Sequence, residues 1–198
     1  MTGALPLSAE QILTLIGQHL SSPRTSRLPV LLVAAAYEVA GTHLGEQARA
    51  LHHHNAADRQ TGAVGDVEIT LVGADEVLTA YEMKQKAVTQ ADIDAALAKL
   101  APGRVRHYVF ISTETPAAEV VRYARSLYTT YDGLEVVILD CMGFVRHFLH
   151  LFYHHRASFL DAYQRLLLAE PDSAVSAALK ETWLALRLST ETGATEEV

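Results

Sequence analysis

Cysteine is nearly absent: one residue, Cys141, in a chain of 198. That excludes an internal disulfide framework and a cysteine-rich zinc centre, and it suits a reducing cytoplasm. No apolar run approaches the ~20 residues needed to cross a bilayer, and LPVLLVAAAY reads as a buried helix or strand. The start, MTGALPLSAEQILTLIGQHL, lacks the basic segment of a secretory signal and reads as an amphipathic helix. Positive charge is scarce as well: 16 Lys and Arg stand against 23 Asp and Glu, a formal charge of −7. Indiscriminate nucleic-acid binding is disfavoured by that balance, although a local basic surface is compatible with it. No glycine-rich phosphate loop supports a small-ligand site at the strand ends near Asp140. Internal repeats and low-complexity segments are lacking too.

What is present is an ordered alternation of elements. Ser8 and Glu10 open a helix over residues 8 to 20. After the polar connector SSPRTSRLP, apolar residues at helical spacing predict a second helix from Pro29 to His52. Two alternating runs, 64 to 72 and 77 to 84, read as a hairpin joined by GADE. Thr89 and Asp92 form a capping-box variant that starts a helix to about Leu100. RVRHYVFIS is a strand, Thr115-Pro116 begins another helix, and LEVVILD reads as a strand buried on both faces. Helices from about Phe144 to Leu168 and from Pro171 to Leu188 follow, ahead of an acidic tail over 191–198. The expected fold is α/β: a mixed central sheet with an antiparallel hairpin and a strand–helix–strand unit, flanked by helices.

The hairpin carries the chemistry. Side chains alternate across a strand, so Asp66, Glu68 and Thr70 share one face of the first run, and Glu82 and Lys84 one face of the second. A turn centred near Asp75 sets Asp66 opposite Lys84 and Glu68 opposite Glu82. Directly opposed Cβ atoms lie ~5 Å apart, and opposed carboxylates repel. A divalent cation reverses that balance, because Mg²⁺ binds one or two carboxylates and keeps waters for a phosphate. With Lys84 to orient water or offset phosphate charge, the chemistry supported is metal-assisted phosphodiester hydrolysis. The competing reading is an exposed hairpin face with ordinary cross-strand charge pairs.

Asp66, fifteen intervening residues, then Glu82-Met83-Lys84 on an adjacent strand, with a helix at Thr89, resembles the PD-(D/E)XK nuclease superfamily. RQTGAVGDVEI and YEMKQKAVTQADIDAAL look most like type II restriction endonucleases of the SacI-like group. The resemblance implies a Mg²⁺-dependent endonuclease on double-stranded DNA, acting within restriction; a repair or phage-defence nuclease of the same superfamily and a non-catalytic DNA-binding or assembly module with this fold are the alternatives. Cutting both strands of a palindrome calls for a homodimer, the lone cysteine suits the cytoplasm, and no membrane association is expected. It implies Asp66 and Glu82 as metal ligands, with one or two Mg²⁺ per site, and Lys84 as the catalytic lysine. An upstream helix glutamate, Glu38 or Glu46, would complete the site, and Glu68 is a further candidate ligand. Arg59, Gln60 and Thr61, one loop before Asp66, are candidate DNA readers because Arg and Gln suit guanine and adenine edges. Lys86 is a candidate phosphate contact. The chain is then one nuclease-like domain: N-terminal helices (1–52), a catalytic core (53–140), C-terminal helices (141–190) and a flexible tail (191–198). Gly65 stands where the motif's proline would be, and a third meander strand is expected to be short or to lie near residues 56 to 63.

The histidines His52, His53 and His54, and the group His147, His150, His154 and His155, lack a third ligand at metal-site spacing and read as satisfied core or surface residues. Cys141 reads as an inert core thiol and Trp183 as core or partner surface.

Overall fold

A capping box at Ser8, with Gln11 returning the bond, starts α1 (Ala9–Leu20). The computed structural model describes residues 6–51, 63–100 and 105–193. Helix α2 (Leu28–Leu44) is apolar almost all round and is buried from Leu28 through Ala36. It ends at Gly45, whose φ of 71° closes a left-handed cap that a side chain disfavours. The expected helix to His52 is therefore cut short. Immediately after the cap, Glu46–Ala48 form strand β1. This is the short third strand of the meander, and helical periodicity hid it because three residues carry no period of their own.

Strands β2 (Val67–Leu71), β3 (Val77–Lys84), β4 (His107–Ser112) and β5 (Glu135–Asp140) complete a five-stranded sheet in the order β1-β2-β3-β4-β5. β1, β2 and β3 pair antiparallel, whereas β3, β4 and β5 are parallel. Helix α3 (Gln90–Leu97) and helix α4 (Ala118–Thr130) make the parallel crossovers. They cover one face, over a core that includes Ala80, Ile93, Tyr108, Phe110 and Leu127. The other face carries α1, α2 and three C-terminal helices: α5 (Cys141–Leu151), α6 (Arg156–Ala169) and α7 (Ala177–Thr192). Trp183 is fully buried there.

Two expectations are corrected. LEVVILD is an edge strand in which only Val136 of β5 is buried, since its outer side has no neighbour among the described residues. The single helix from Phe144 to Leu168 is two, broken at Phe152 by a backbone at φ −111°, ψ 48° and a one-turn 3₁₀ segment, Tyr153–His155. Arg156 Nε caps the break by donating to the Leu149 carbonyl at 2.9 Å. His150 and His154 thus lie on different elements. The acidic tail from residue 194 and His52 to His54 lie outside the described residues.

Candidate active site at the hairpin

The hairpin register is offset by two from the expected one. Val67 faces Tyr81, Glu68 faces Ala80 and Ile69 faces Thr79, with an irregularity between Ile69 and Thr70. The cause is the turn, which closes at Leu71–Ala74 (Ala74 N–H to Leu71 carbonyl, 3.0 Å) with Gly73 at φ 82°. That is earlier than a turn centred on Asp75. An even-numbered slip preserves faces, so the apolar side stays inward while the charged partners change. Glu68 and Glu82 are not opposed, and Asp66 comes to the place across from Glu82.

Asp66 enters β2 through a tight approach. The Asp66 amide donates to the Tyr81 carbonyl at 2.7 Å. A Cβ on Gly65 would lie 2.7 Å from that same carbonyl oxygen and 3.2 Å from the Ala80 Cβ. Glycine is what lets the chain reach the sheet here, in the place of the motif's proline. The Asp66 carboxylate accepts the Met83 amide at 2.7 Å, which ties it to the residue between Glu82 and Lys84. The residue is exposed, yet neighbouring protein partly desolvates its carboxyl. Its pKa is raised first by that desolvation and further by the Glu82 charge, against the Met83 bond and the positive charges of Lys84 and Arg27.

Glu82 is mostly enclosed and heavily engaged. Lys84 Nζ donates to its Oε1 at 2.8 Å; the Tyr108 hydroxyl meets its Oε2 at 2.6 Å, and Lys99 Nζ lies 3.7 Å from Oε2. Lys84 also stands 3.7 Å from Asp92. Burial acts to lower the Lys84 pKa, but the Glu82 hydrogen bond and the charges of Glu82, Asp92 and Asp66 outweigh it, so the net shift is upward. Asp92 also takes Lys86 at 3.1 Å and the Thr89 hydroxyl at 2.7 Å. Desolvation is the largest single influence and acts to raise its pKa, but the two Thr89 bonds, the Lys86 bond and the Lys84 charge together outweigh it and lower the pKa to about 2.

The remaining sequence candidates fall elsewhere. Glu68 is buried, and both its oxygens are occupied, by the Val64 amide at 2.7 Å and by Arg49 Nη1 at 3.0 Å. Glu46 lies on a strand, not a helix. Its Cα partner is Leu71, five residues along β2 from Asp66 and so ~16 Å away, on the α2 side of the sheet, where it hydrogen-bonds Tyr37. Glu38 pairs with Arg165 of α6. Neither is brought to Asp66 and Glu82. Lys86 is exposed, beside Asp92. Arg59, Gln60 and Thr61 lie outside the described residues.

Strands β3, β4 and β5 end together at Lys84, Ser112 and Asp140, and antiparallel β2 begins beside them. The site therefore sits at the carboxyl end of the parallel strands. The α1–α2 connector reaches the same end, where Gln85 Nε2 donates to Thr25 Oγ1 at 2.7 Å. Arg106 lies at the other end, bonded to the Asp132 carbonyl. Sequence reasoning missed Tyr108, Asp92 and Lys99. Asp92 was legible only as a helix cap, and the other two come from elements that approach through the parallel pairing and the α3 packing.

Among the described residues no three His, Cys, Asp or Glu side chains are grouped to hold an ion unaided. The donor set of Asp66 and Glu82 nonetheless fits a hard cation that keeps several waters. Cys141 is no alternative nucleophile: burial pushes its thiol up to about 12. No helix among the described residues is long and apolar enough to cross a membrane.

Residues 6–114, more than half of the chain and all of this site, match the SacI restriction endonuclease C-terminal domain family. No curated protein matches the chain.

Proposed function

The chain belongs to the SacI restriction endonuclease C-terminal domain family, and from that premise we propose that it is a Mg²⁺-dependent endonuclease on double-stranded DNA. The observation that carries the reading is the return of Asp66 to the Glu82-Met83-Lys84 segment, its carboxylate seated on the Met83 amide at 2.7 Å. Asp66 and Glu82 would hold Mg²⁺, which when bound supplies charge at the phosphodiester and a more acidic water.

The chain's own groups do the rest. The Met83 amide orients Asp66, and the Tyr108 hydroxyl orients Glu82. Lys84, an ammonium between two carboxylates, donates to a phosphate oxygen or orients the attacking water, and it offsets charge that grows in the transition state. Lys86 and Lys99 add positive charge beside Lys84, each paired with a carboxylate of the site, Asp92 or Glu82, while Arg27 acts on Asp66 from a buried ion pair with Glu170. Cutting both strands of a palindrome calls for two symmetric sites, which favours a homodimer.

Plasmid cleavage tests this. The wild type should nick and linearise DNA with Mg²⁺ and be silent in EDTA, and Asp66→Asn should be silent in both. Discrete fragments mean a sequence-specific restriction enzyme; smears mean a nuclease of the same superfamily that acts in repair or phage defence. Equal cutting by Asp66→Asn and wild type would remove the assignment, and a folded wild type that binds DNA without cutting would leave a binding or assembly module.

A further inference from the structure

Tyr108 is 1% exposed and packs in the core under α3 and α4, its ring 5.2 Å from that of Phe110. Two residues apart on one face of β4, the two rings do the same packing, and only one carries a hydroxyl. A buried hydroxyl is costly unless bonded, so a phenol at this depth calls for a reason that a phenylalanine would not meet. Its surroundings supply one. The hydroxyl has a single proton and stands between two acceptors, Glu82 Oε2 at 2.6 Å and the Val64 carbonyl at 2.9 Å.

Those two acceptors belong to the two halves of the site. Val64 precedes Asp66 by two residues, and its peptide is gripped on the amide side as well, where the N–H donates to Glu68 at 2.7 Å. Between Val64 and Asp66 stands Gly65, where an added Cβ would lie only 2.7 Å from the Tyr81 carbonyl oxygen. The segment leading into Asp66 thus has no slack, and one phenol measures its separation from Glu82. The shorter contact is the charge-assisted one, made to the same Glu82 oxygen that Lys99 approaches at 3.7 Å.

We propose that Tyr108 is a positioning residue for the metal pair: its hydroxyl holds Glu82 in register with Asp66, and turns to the Val64 carbonyl when a divalent cation takes the carboxylate. The proposal rests on the nuclease reading above. It assigns Glu68 a part in the same device, as the clamp on Val64 rather than as a ligand. No bond other than hydrogen bonds is made or broken, and the proton stays on the phenol oxygen throughout.

Tyr108→Phe, in the full chain, separates this role from mere packing. In EDTA the variant should fold and melt a few degrees below the wild type. The Mg²⁺ concentration giving half the thermal stabilisation, and that giving half-maximal nicking, should both rise about tenfold, as removal of a residue that orients a metal ligand commonly does. A lower melting temperature with unchanged Mg²⁺ midpoints would make Tyr108 a packing residue only, and overturn the proposal. A second measurement needs no variant: in wild-type protein labelled at tyrosine Cζ, the Tyr108 carbon resonance should move when Mg²⁺ is added, because its acceptor changes. A resonance that stays in place overturns the proposal even if Tyr108→Phe does not fold. If wild-type protein neither cuts DNA with Mg²⁺ nor gains thermal stability from it, the nuclease reading fails and takes the Tyr108 role with it. If it does both and the variant matches it, only the Tyr108 role fails.

Discussion

His19 lies fully buried among α1, α6 and α7, and each of its ring nitrogens meets one partner: the Tyr163 hydroxyl at 3.0 Å and the Leu179 carbonyl at 3.0 Å. On the opposite face of the sheet, Glu82 has three partners within 4 Å, while Glu82 and Asp92 share the ammonium groups of Lys84, Lys86 and Lys99. The first cluster is neutral and closed, with one arrangement. The second is charged and shared: Lys84 can lean to either carboxylate, and Asp66 stands beside it with its pKa raised, chiefly by desolvation. A buried polar group that serves folding is satisfied once and left alone. One that serves a reaction keeps an alternative partner, and hence some unfavourable energy that a ligand can relieve.

The largest effect should come from Lys84. Lys84→Ala should lower cleavage by about 10²–10³-fold, the usual loss when one electrostatic donor to a transition state is removed. Its Mg²⁺ midpoint in thermal melts should stay the same or fall, because the ammonium that competes for Glu82 is gone. Wild-type cleavage by this variant would erase the distinction between the two clusters. Asp66→Asn sharpens it from the stability side. A carboxyl whose folded pKa is raised favours the protonated form, so its ionisation lowers stability as pH rises through that folded value. At neutral pH without metal, Asp66→Asn should therefore melt a few degrees above the wild type, and Mg²⁺ should no longer shift it. A metal-free melting temperature below the wild type's would mean that Asp66 stabilises the fold.

Gly65→Ala comes next. Its Cβ would meet a backbone oxygen at 2.7 Å, which no rotamer can relieve. A loss of about 1–3 kcal/mol in urea denaturation is expected, together with weakened Mg²⁺ binding as Asp66 is displaced. Unchanged stability would show that the segment does have slack.

The smallest effect belongs to His19, on which pH should act smoothly. Burial holds its pKa below the ordinary 6.5, against the Leu179 bond. The unfolded chain therefore takes up the proton first, and stability should fall as pH drops from about 6.5 towards the folded value, then level off. The slope from this one group is at most about 1.4 kcal/mol per pH unit. Urea midpoints at pH 7.5 and 5.5 should differ less in His19→Gln than in wild type; equal differences would mean that His19 is not held neutral.

The D…ExK spacing, the strand alternation and the Thr89 cap were legible in the residues because each rests on near neighbours. A strand shows two faces to its own sequence, and a cap and its bonded amide are three residues apart. For the same reason α1, β3 and α3 fell close to their expected bounds. The two-residue offset of the hairpin was invisible, since it preserves both faces and depends on the backbone angle at Gly73. Glu46 was misplaced because Gly45 ends α2 through a left-handed φ that helical periodicity cannot register. The break at Phe152 escaped for a similar reason: the apolar spacing continues through it. By itself, then, the sequence determined the α/β class, the placement of Asp66, Glu82 and Lys84 on neighbouring strands of one hairpin, and the inertness of a lone cysteine, but not which of them lies across from which. Only the tertiary structure decided which groups surround that trio. Tyr108 arrives 26 residues after Glu82 through a parallel strand pairing, Lys99 from the end of α3, and Arg27 from a connector on the far side of α2. Contacts of that kind are set by packing, which local propensity does not encode.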